Sequence, residues 1–171
     1  MKKIVWMLAL ACAMGLASGQ SDQGLVGEYY DGMSFNNKKM TRTDAQISFF
    51  WNNVAPAKGM DPERFSIRWK GKIKAPERGS YIFRAYVDDG IRVKVDGKMV
   101  INAWGLHDSE RFTGSVWLEA GRYYDLQVDY FNGMLEGEIQ LYWQLPSEAI
   151  KTPDASGHRD ELIASSYFGI R

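Results

Sequence analysis

Apolar and polar residues alternate along most of this chain with a period of two. Phe65, Ile67 and Trp69 alternate with Ser66, Arg68 and Lys70, and Ile91, Val93 and Val95 alternate with Arg92, Lys94 and Asp96. Further on, Tyr124, Leu126, Val128 and Tyr130 alternate with Asp125, Gln127 and Asp129, and Ile139, Leu141 and Trp143 with Gln140 and Tyr142. Successive side chains of an extended strand leave on opposite faces, so each segment predicts a strand with one face in a core and one in water. Turn-forming clusters separate them: Ala75-Pro76-Glu77-Arg78-Gly79, Asp96-Gly97, Glu119-Ala120-Gly121 and Asn132-Gly133. No stretch keeps a helical period over three turns. Short strands without crossover helices predict an all-β fold, an antiparallel β-sandwich or barrel of roughly eight to ten strands in a single domain.

The ends of the chain read differently. Met1-Lys2-Lys3 followed by an apolar run to Leu16 and small residues at Ala17-Ser18-Gly19 predicts a signal peptide over residues 1–19, with the mature chain starting near Gln20. The apolar run is too short to span a bilayer. A secreted, extracellular or periplasmic protein is expected. The only cysteine, Cys12, lies in this leader, so the mature chain has no disulfide or thiol chemistry. Leu8-Ala9-Leu10-Ala11-Cys12 also resembles a bacterial lipobox, which leaves a lipoprotein anchored through Cys12 as the alternative. About 150 mature residues suffice for one core and are too few for two. The main domain is expected over residues 20–146, and residues 147–171 as a polar connector with a possible final strand at Leu162-Ile163 or Tyr167-Phe168. With 21 basic and 21 acidic residues, no global field favours nucleic acid or an anionic membrane.

Chemistry concentrates at Val87-Asp88-Asp89-Gly90. Two adjacent carboxylates repel unless a cation or several donors lie between them, and they converge on one ion only if the backbone bends, which Gly90 makes easier. Asp-Gly is equally a hairpin signal, as at Val95-Asp96-Gly97-Lys98, so turn and cation site both stand on local chemistry. Asn132-Gly133 by itself reads as a two-residue hairpin turn. Trp104 sits with His107, Asp108 and Glu110 in a loop-like stretch, where it serves either as a stacking platform for a sugar or as packing against the sheet. The two histidines, His107 and His158, exclude a His-rich metal site. No nucleophile elbow or zinc-protease pattern occurs. A glycosidase needs two carboxylates about 5 to 9.5 Å apart across a cleft, whereas Asp88 and Asp89 are neighbours suited to sharing one ion, so no enzyme is expected. Lys38-Lys39, Arg42-Thr43-Asp44 and Asp61-Pro62-Glu63 read as solvated surface.

An ordered set of fragments then resembles one family. It comprises Gly24-Leu25-Val26-Gly27-Glu28-Tyr29-Tyr30, Phe65 to Gly71, Pro76 with Gly79-Ser80-Tyr81-Ile82-Phe83, Asp88-Asp89-Gly90-Ile91-Arg92-Val93, Val95-Asp96-Gly97 with Val100-Ile101, Ala120-Gly121-Arg122-Tyr123-Tyr124, and Leu141-Tyr142-Trp143 up to Pro146. In order and spacing these resemble the PA14 domain. That family implies a β-sandwich found in bacterial toxins, beside glycosidases and in yeast adhesins, where it often binds carbohydrate. In the yeast flocculins and related lectins the paired aspartates are joined by a cis peptide bond and coordinate Ca²⁺, and Asp88 and Asp89 match them. The same resemblance puts Asn132 at a third side-chain ligand, and Met134 and Glu136 where loop carbonyls are supplied. The sugar's vicinal hydroxyls would complete the shell, with Asp88, Asp89, Asn132 and Trp104 as the carbohydrate-binding residues. Two carboxylates, an amide oxygen and carbonyls are suitable donors for a hard cation taking six to eight oxygens. The segment after Asp88-Asp89-Gly90 lacks the cysteines and insertions of the yeast adhesins and is similar to bacterial enzyme-associated modules. The resemblance therefore implies a secreted, non-catalytic, calcium-dependent module for adhesion to a glycan or polysaccharide. The alternative is an extracellular protein-interaction or assembly domain that binds neither sugar nor metal.

Overall fold

A computed structural model describes residues 23–151 and 161–170. The expected export segment 1–19, Cys12 and His158 lie outside them. The first strands are β1 (Leu25–Asp31), β2 (Asn37–Asp44), β3 (Ser48–Trp51) and β4 (Phe65–Lys74). The middle of the chain forms β5 (Gly79–Asp88), β6 (Gly90–Val95), β7 (Lys98–Ala103) and β8 (Glu110–Leu118). It continues through β9 (Tyr123–Asn132), β10 (Gly137–Gln144), the helix α1 (Pro146–Lys151), and two short strands, β11 (Glu161–Leu162) and β12 (Phe168–Gly169). One antiparallel sheet runs β2-β1-β4-β9-β6-β7 with β12 also on β4; the other runs β11-β10-β5-β8 with β3 also on β10. The expected antiparallel sandwich forms, with twelve strands among the described residues rather than eight to ten, because short strands such as β11 and β12 add to its sheets.

The period-two pattern drives this packing. Inward residues of the larger sheet, among them Tyr29, Ile67, Trp69, Val93, Val128 and Tyr130, are wholly buried against Phe83, Ala85, Val87, Ile139 and Leu141 of the smaller one. At the centre, the Trp51 ring stacks on Tyr130 at 5.6 Å and Phe49 stacks on Trp69 at 5.8 Å. Burying an aromatic or branched side chain stabilises the fold by about 1.5–3 kcal/mol, which makes this interface the main source of stability in a domain without disulfides.

Three local expectations change. Asp44 is buried rather than solvated: its carboxylate accepts from Tyr29 Oη at 2.5 Å, Trp69 Nε1 at 2.7 Å and Arg42 Nε at 2.6 Å. Burial and this neighbouring carboxylate hold the Tyr29 hydroxyl protonated, far above its ordinary range. Ser66, on the face expected to be wet, is also buried, because its hydroxyl donates to Gly32 O at 2.7 Å and accepts from the Phe35 amide at 3.1 Å. Residues 147–151 of the expected connector are helical. Pro146 opens the helix, and Glu148 reaches back to accept from the Leu145 amide at 3.0 Å while its own amide donates to Leu145 O at 3.1 Å. Beyond the helix the C-terminal segment contributes a strand to each sheet and buries Ile163 and Phe168.

Candidate functional site

Local sequence leaves Asp88-Asp89-Gly90 open between turn and site; topology decides. The strand β5 ends at Asp88 in the smaller sheet and β6 begins at Gly90 in the larger one, so Asp89 is the single residue linking the two layers. Asn132-Gly133 is no hairpin either, because β9 and β10 also belong to different sheets. These crossings lie together: Asp88 pairs with Glu138 at the start of β10, and Gly90 pairs with Phe131 at the end of β9. The peptide bond between Asp88 and Asp89 is cis. Gly90 does not adopt the left-handed backbone; a Cβ there would run into the Phe131 ring, so its value is close packing.

Asp89 is 6% exposed and both its carboxylate oxygens are anchored. One accepts from the His107 amide at 3.0 Å and the other from the Gly133 amide at 2.7 Å. The first bond ties the crossing to the loop between β7 and β8, the second to the β9–β10 crossing. Asp88 is held through its backbone, where its carbonyl accepts from Tyr130 Oη at 2.5 Å. Its carboxyl is pushed up to about 6, first by burial and then by Asp89, Asp108, Glu136 and Glu138. Negative charge here thus exceeds what the surrounding protein neutralises.

Asn132 carries the most telling atom. The side chain is fully buried and its Nδ2 donates to Leu135 O at 3.3 Å, yet its Oδ1 is buried without a hydrogen-bond partner. Buried acceptors are almost always paired, and the amide of the next residue, Gly133, holds Asp89, so an orphan at this corner suits a positive ligand. Among the described residues no three His, Cys, Asp or Glu side chains form a metal-binding group on their own. An ion here would need amide and carbonyl oxygens as well, a donor set suited to a hard cation rather than zinc or copper. Asp88, Asp89, Met134 and Glu136 line one open cleft of about 400 Å³, together with Leu106, His107, Asp108 and Leu135. Leu106, Met134 and Leu135 are largely exposed and form an apolar rim.

Trp104, like the buried Asn132, is not among the residues that line the cleft. Its ring stacks on Phe35 at 5.7 Å, meets Phe131 edge-on at 4.7 Å, and carries the Arg92 guanidinium 4.3 Å from its centre. The same loop instead reaches the cleft through Leu106, the His107 amide and Asp108. Sequence reasoning named His107 and Asp108 in a loop that could face a ligand, but it missed Leu106 and the role of the His107 backbone amide. Their only signal was membership of the loop-like segment that contains Trp104, because a backbone donor leaves no side-chain signature.

Comparison with known proteins gives a consistent picture. A model of the PA14 domain matches residues 21–157. The chain is 32% identical to the anti-sigma-I factor RsgI3 of Acetivibrio thermocellus, over 73% of this chain and 19% of that protein. A solved anti-sigma factor domain-containing protein from Clostridium clariflavum superposes with a TM-score of 0.74 at 32% identity, over 85% of this chain and 46% of that one. A PA14 sugar-binding domain from an RTX adhesin shares the fold, with a TM-score of 0.67 at 16% identity over 86% of this chain and 98% of that domain. The chain spans about a fifth of the curated relative RsgI3 and about half of the solved anti-sigma relative.

Proposed function

This chain belongs to the PA14 domain family, and from that premise we propose that it is a secreted, non-catalytic, calcium-dependent module that binds glycan hydroxyls at the Asp88–Asp89 corner. The observation that carries this reading is the orphaned Asn132 Oδ1, one residue from the Gly133 amide that holds Asp89, at a corner where the neighbouring Asp88 carboxyl is pushed up towards neutrality. Asp88, Asp89 and Asn132 Oδ1 would hold Ca²⁺, with carbonyls of Met134 and Glu136 completing the protein's share. A bound calcium offers open coordination positions to two vicinal hydroxyls. The chain's own part is to keep those donors in place: Asp89 is fixed by the His107 and Gly133 amides, and the Asp88 backbone by Tyr130. Within this arrangement Trp104 braces the outer face of the larger sheet, as its packing on Phe35 and Arg92 supports. The sugar binding named for the RTX adhesin domain is in keeping with the proposal.

The test combines calcium titration with glycan screening. Calorimetry should find one calcium site in the wild type that Asp88→Asn weakens, and glycan-array binding in calcium should disappear in chelator. Absence of calcium binding would sink the metal site. Calcium binding without any glycan signal would leave an extracellular interaction or assembly domain with a structural ion.

A further inference from the structure

A second cleft, of about 450 Å³, opens on the outer face of the larger sheet. It is lined by Lys70, Lys72, Lys94, Asp125 and Gln127, with Ile170 along one side. Lys94 lies four residues along β6 from Gly90, about 13 Å at the rise of a strand, so this cleft is separate from the aspartate corner. The lysines point away from the core because their neighbours Trp69, Ile73, Val93 and Val95 are buried. Register places Lys70 opposite Gln127 and Gln127 opposite Lys94. Two interstrand spacings put the Lys70 and Lys94 backbones about 10 Å apart with Gln127 between them, its Nε2 donating to Asp129 Oδ1 at 3.0 Å.

Charge at this row is incompletely balanced. Lys72 pairs with Asp125 at 2.5 Å. Among the described residues Lys70 pairs only with Glu28, 3.9 Å away, and Glu28 is already held by Lys38 at 3.1 Å. Lys94 has no ion-pair partner among the described residues. Two ammonium groups on strands flanking the central Gln127 suit a single negative group that lies between them, and the chain's zero net charge means that this excess is local. Asp125 beside the cleft repels a polyphosphate, which would need many cationic contacts, but it accepts hydrogen bonds from hydroxyls.

We infer that this cleft binds an acidic sugar residue, its carboxylate or sulfate seated between Lys70 and Lys94 and its hydroxyls on Gln127 and the Lys72–Asp125 pair. This gives the module a second, charge-selective contact with an extracellular polysaccharide, independent of calcium. The test titrates the wild-type protein in chelator by NMR with trigalacturonate, galactose 6-sulfate and neutral galactotriose. Binding of at least one acidic sugar is expected, with shifts in β4, β9 and β6 and loss at high salt. Trigalacturonate or galactose 6-sulfate alone would assign the anion as carboxylate or sulfate. Lys70→Ala/Lys94→Ala should weaken binding by about tenfold or more at an unchanged melting temperature, whereas the exposed Lys58→Ala should not. No binding of either acidic sugar, equal binding of galactotriose, or undiminished binding by the double variant would overturn the inference. Working in chelator separates these outcomes from any failure of the calcium site.

Discussion

Replacing Asn132 by alanine should be nearly neutral in chelator and costly in calcium. In the metal-free protein the substitution removes the 3.3 Å bond from Nδ2 to Leu135 O. A hydrogen bond is worth about 1 kcal/mol net. The smaller side chain leaves roughly 30 Å³ unfilled, which at about 24 cal/mol per Å³ costs roughly 0.7 kcal/mol. Against these, the substitution deletes the buried unpaired Oδ1, a group whose desolvation costs about 1–3 kcal/mol. The terms nearly cancel, so the two proteins should melt within about 4 °C of each other in chelator. Calcium at a hundredfold above its dissociation constant stabilises the wild type by about 2.7 kcal/mol, near 10 °C for a domain of this size. The variant, deprived of one ligand, should lose most of that rise. Scanning calorimetry of both proteins in chelator and in saturating calcium reads the difference directly. A wild type indifferent to calcium would refute the reasoning, as would a variant destabilised by more than about 2 kcal/mol equally in both conditions, since Asn132 would then be purely structural.

Further expectations follow from the same geometry. The Asp88 carboxyl titrates near 6, above its ordinary 3.8, so in chelator its contribution to stability is present below pH 4 and fades as pH rises through 6. The melting temperature of wild type relative to Asp88→Asn should therefore fall across that window, while calcium affinity should rise across it as the proton leaves; a flat difference in both would contradict the charge crowding. Asp44→Ala strands Tyr29 Oη, Trp69 Nε1 and the Arg42 guanidinium without their acceptor. It should cost about 3–5 kcal/mol in urea unfolding, and a loss below 1 kcal/mol would mean that the network carries little. Phe168→Ala removes a ring buried to 3% exposure and should cost about 3–5 kcal/mol by the same assay, showing that the C-terminal strand is part of the core. Gly90→Ala puts a methyl group into the Phe131 ring, and overpacking of this kind lowers stability by about 1–3 kcal/mol; an unchanged melting temperature would argue against the close approach.

The strands were legible because period two is a local property: Trp69 and Lys70 differ in polarity, and any extended backbone must send them to opposite faces. The Asp96-Gly97 hairpin was legible for the same reason, since both residues take the left-handed backbone that this turn demands, with φ of 47° and 75°. Asp88-Asp89-Gly90 and Asn132-Gly133 carry the same turn chemistry, yet they cross between sheets, and strand order over the whole chain is not written in any five residues. The resemblance to PA14 domains supplied that order, and with it the grouping of Asp88 and Asp89 near Asn132. Asp44 looked like surface because a carboxylate is costly to bury until Tyr29, Trp69 and Arg42, distant in part along the chain, are folded around it. The His107 and Gly133 amides that anchor Asp89 belong to the backbone, which every residue possesses, so only folding selects them. Polarity along the chain determined the layers and which faces meet; the tertiary structure alone decided which loops share a corner, because that depends on contacts between segments far apart in sequence.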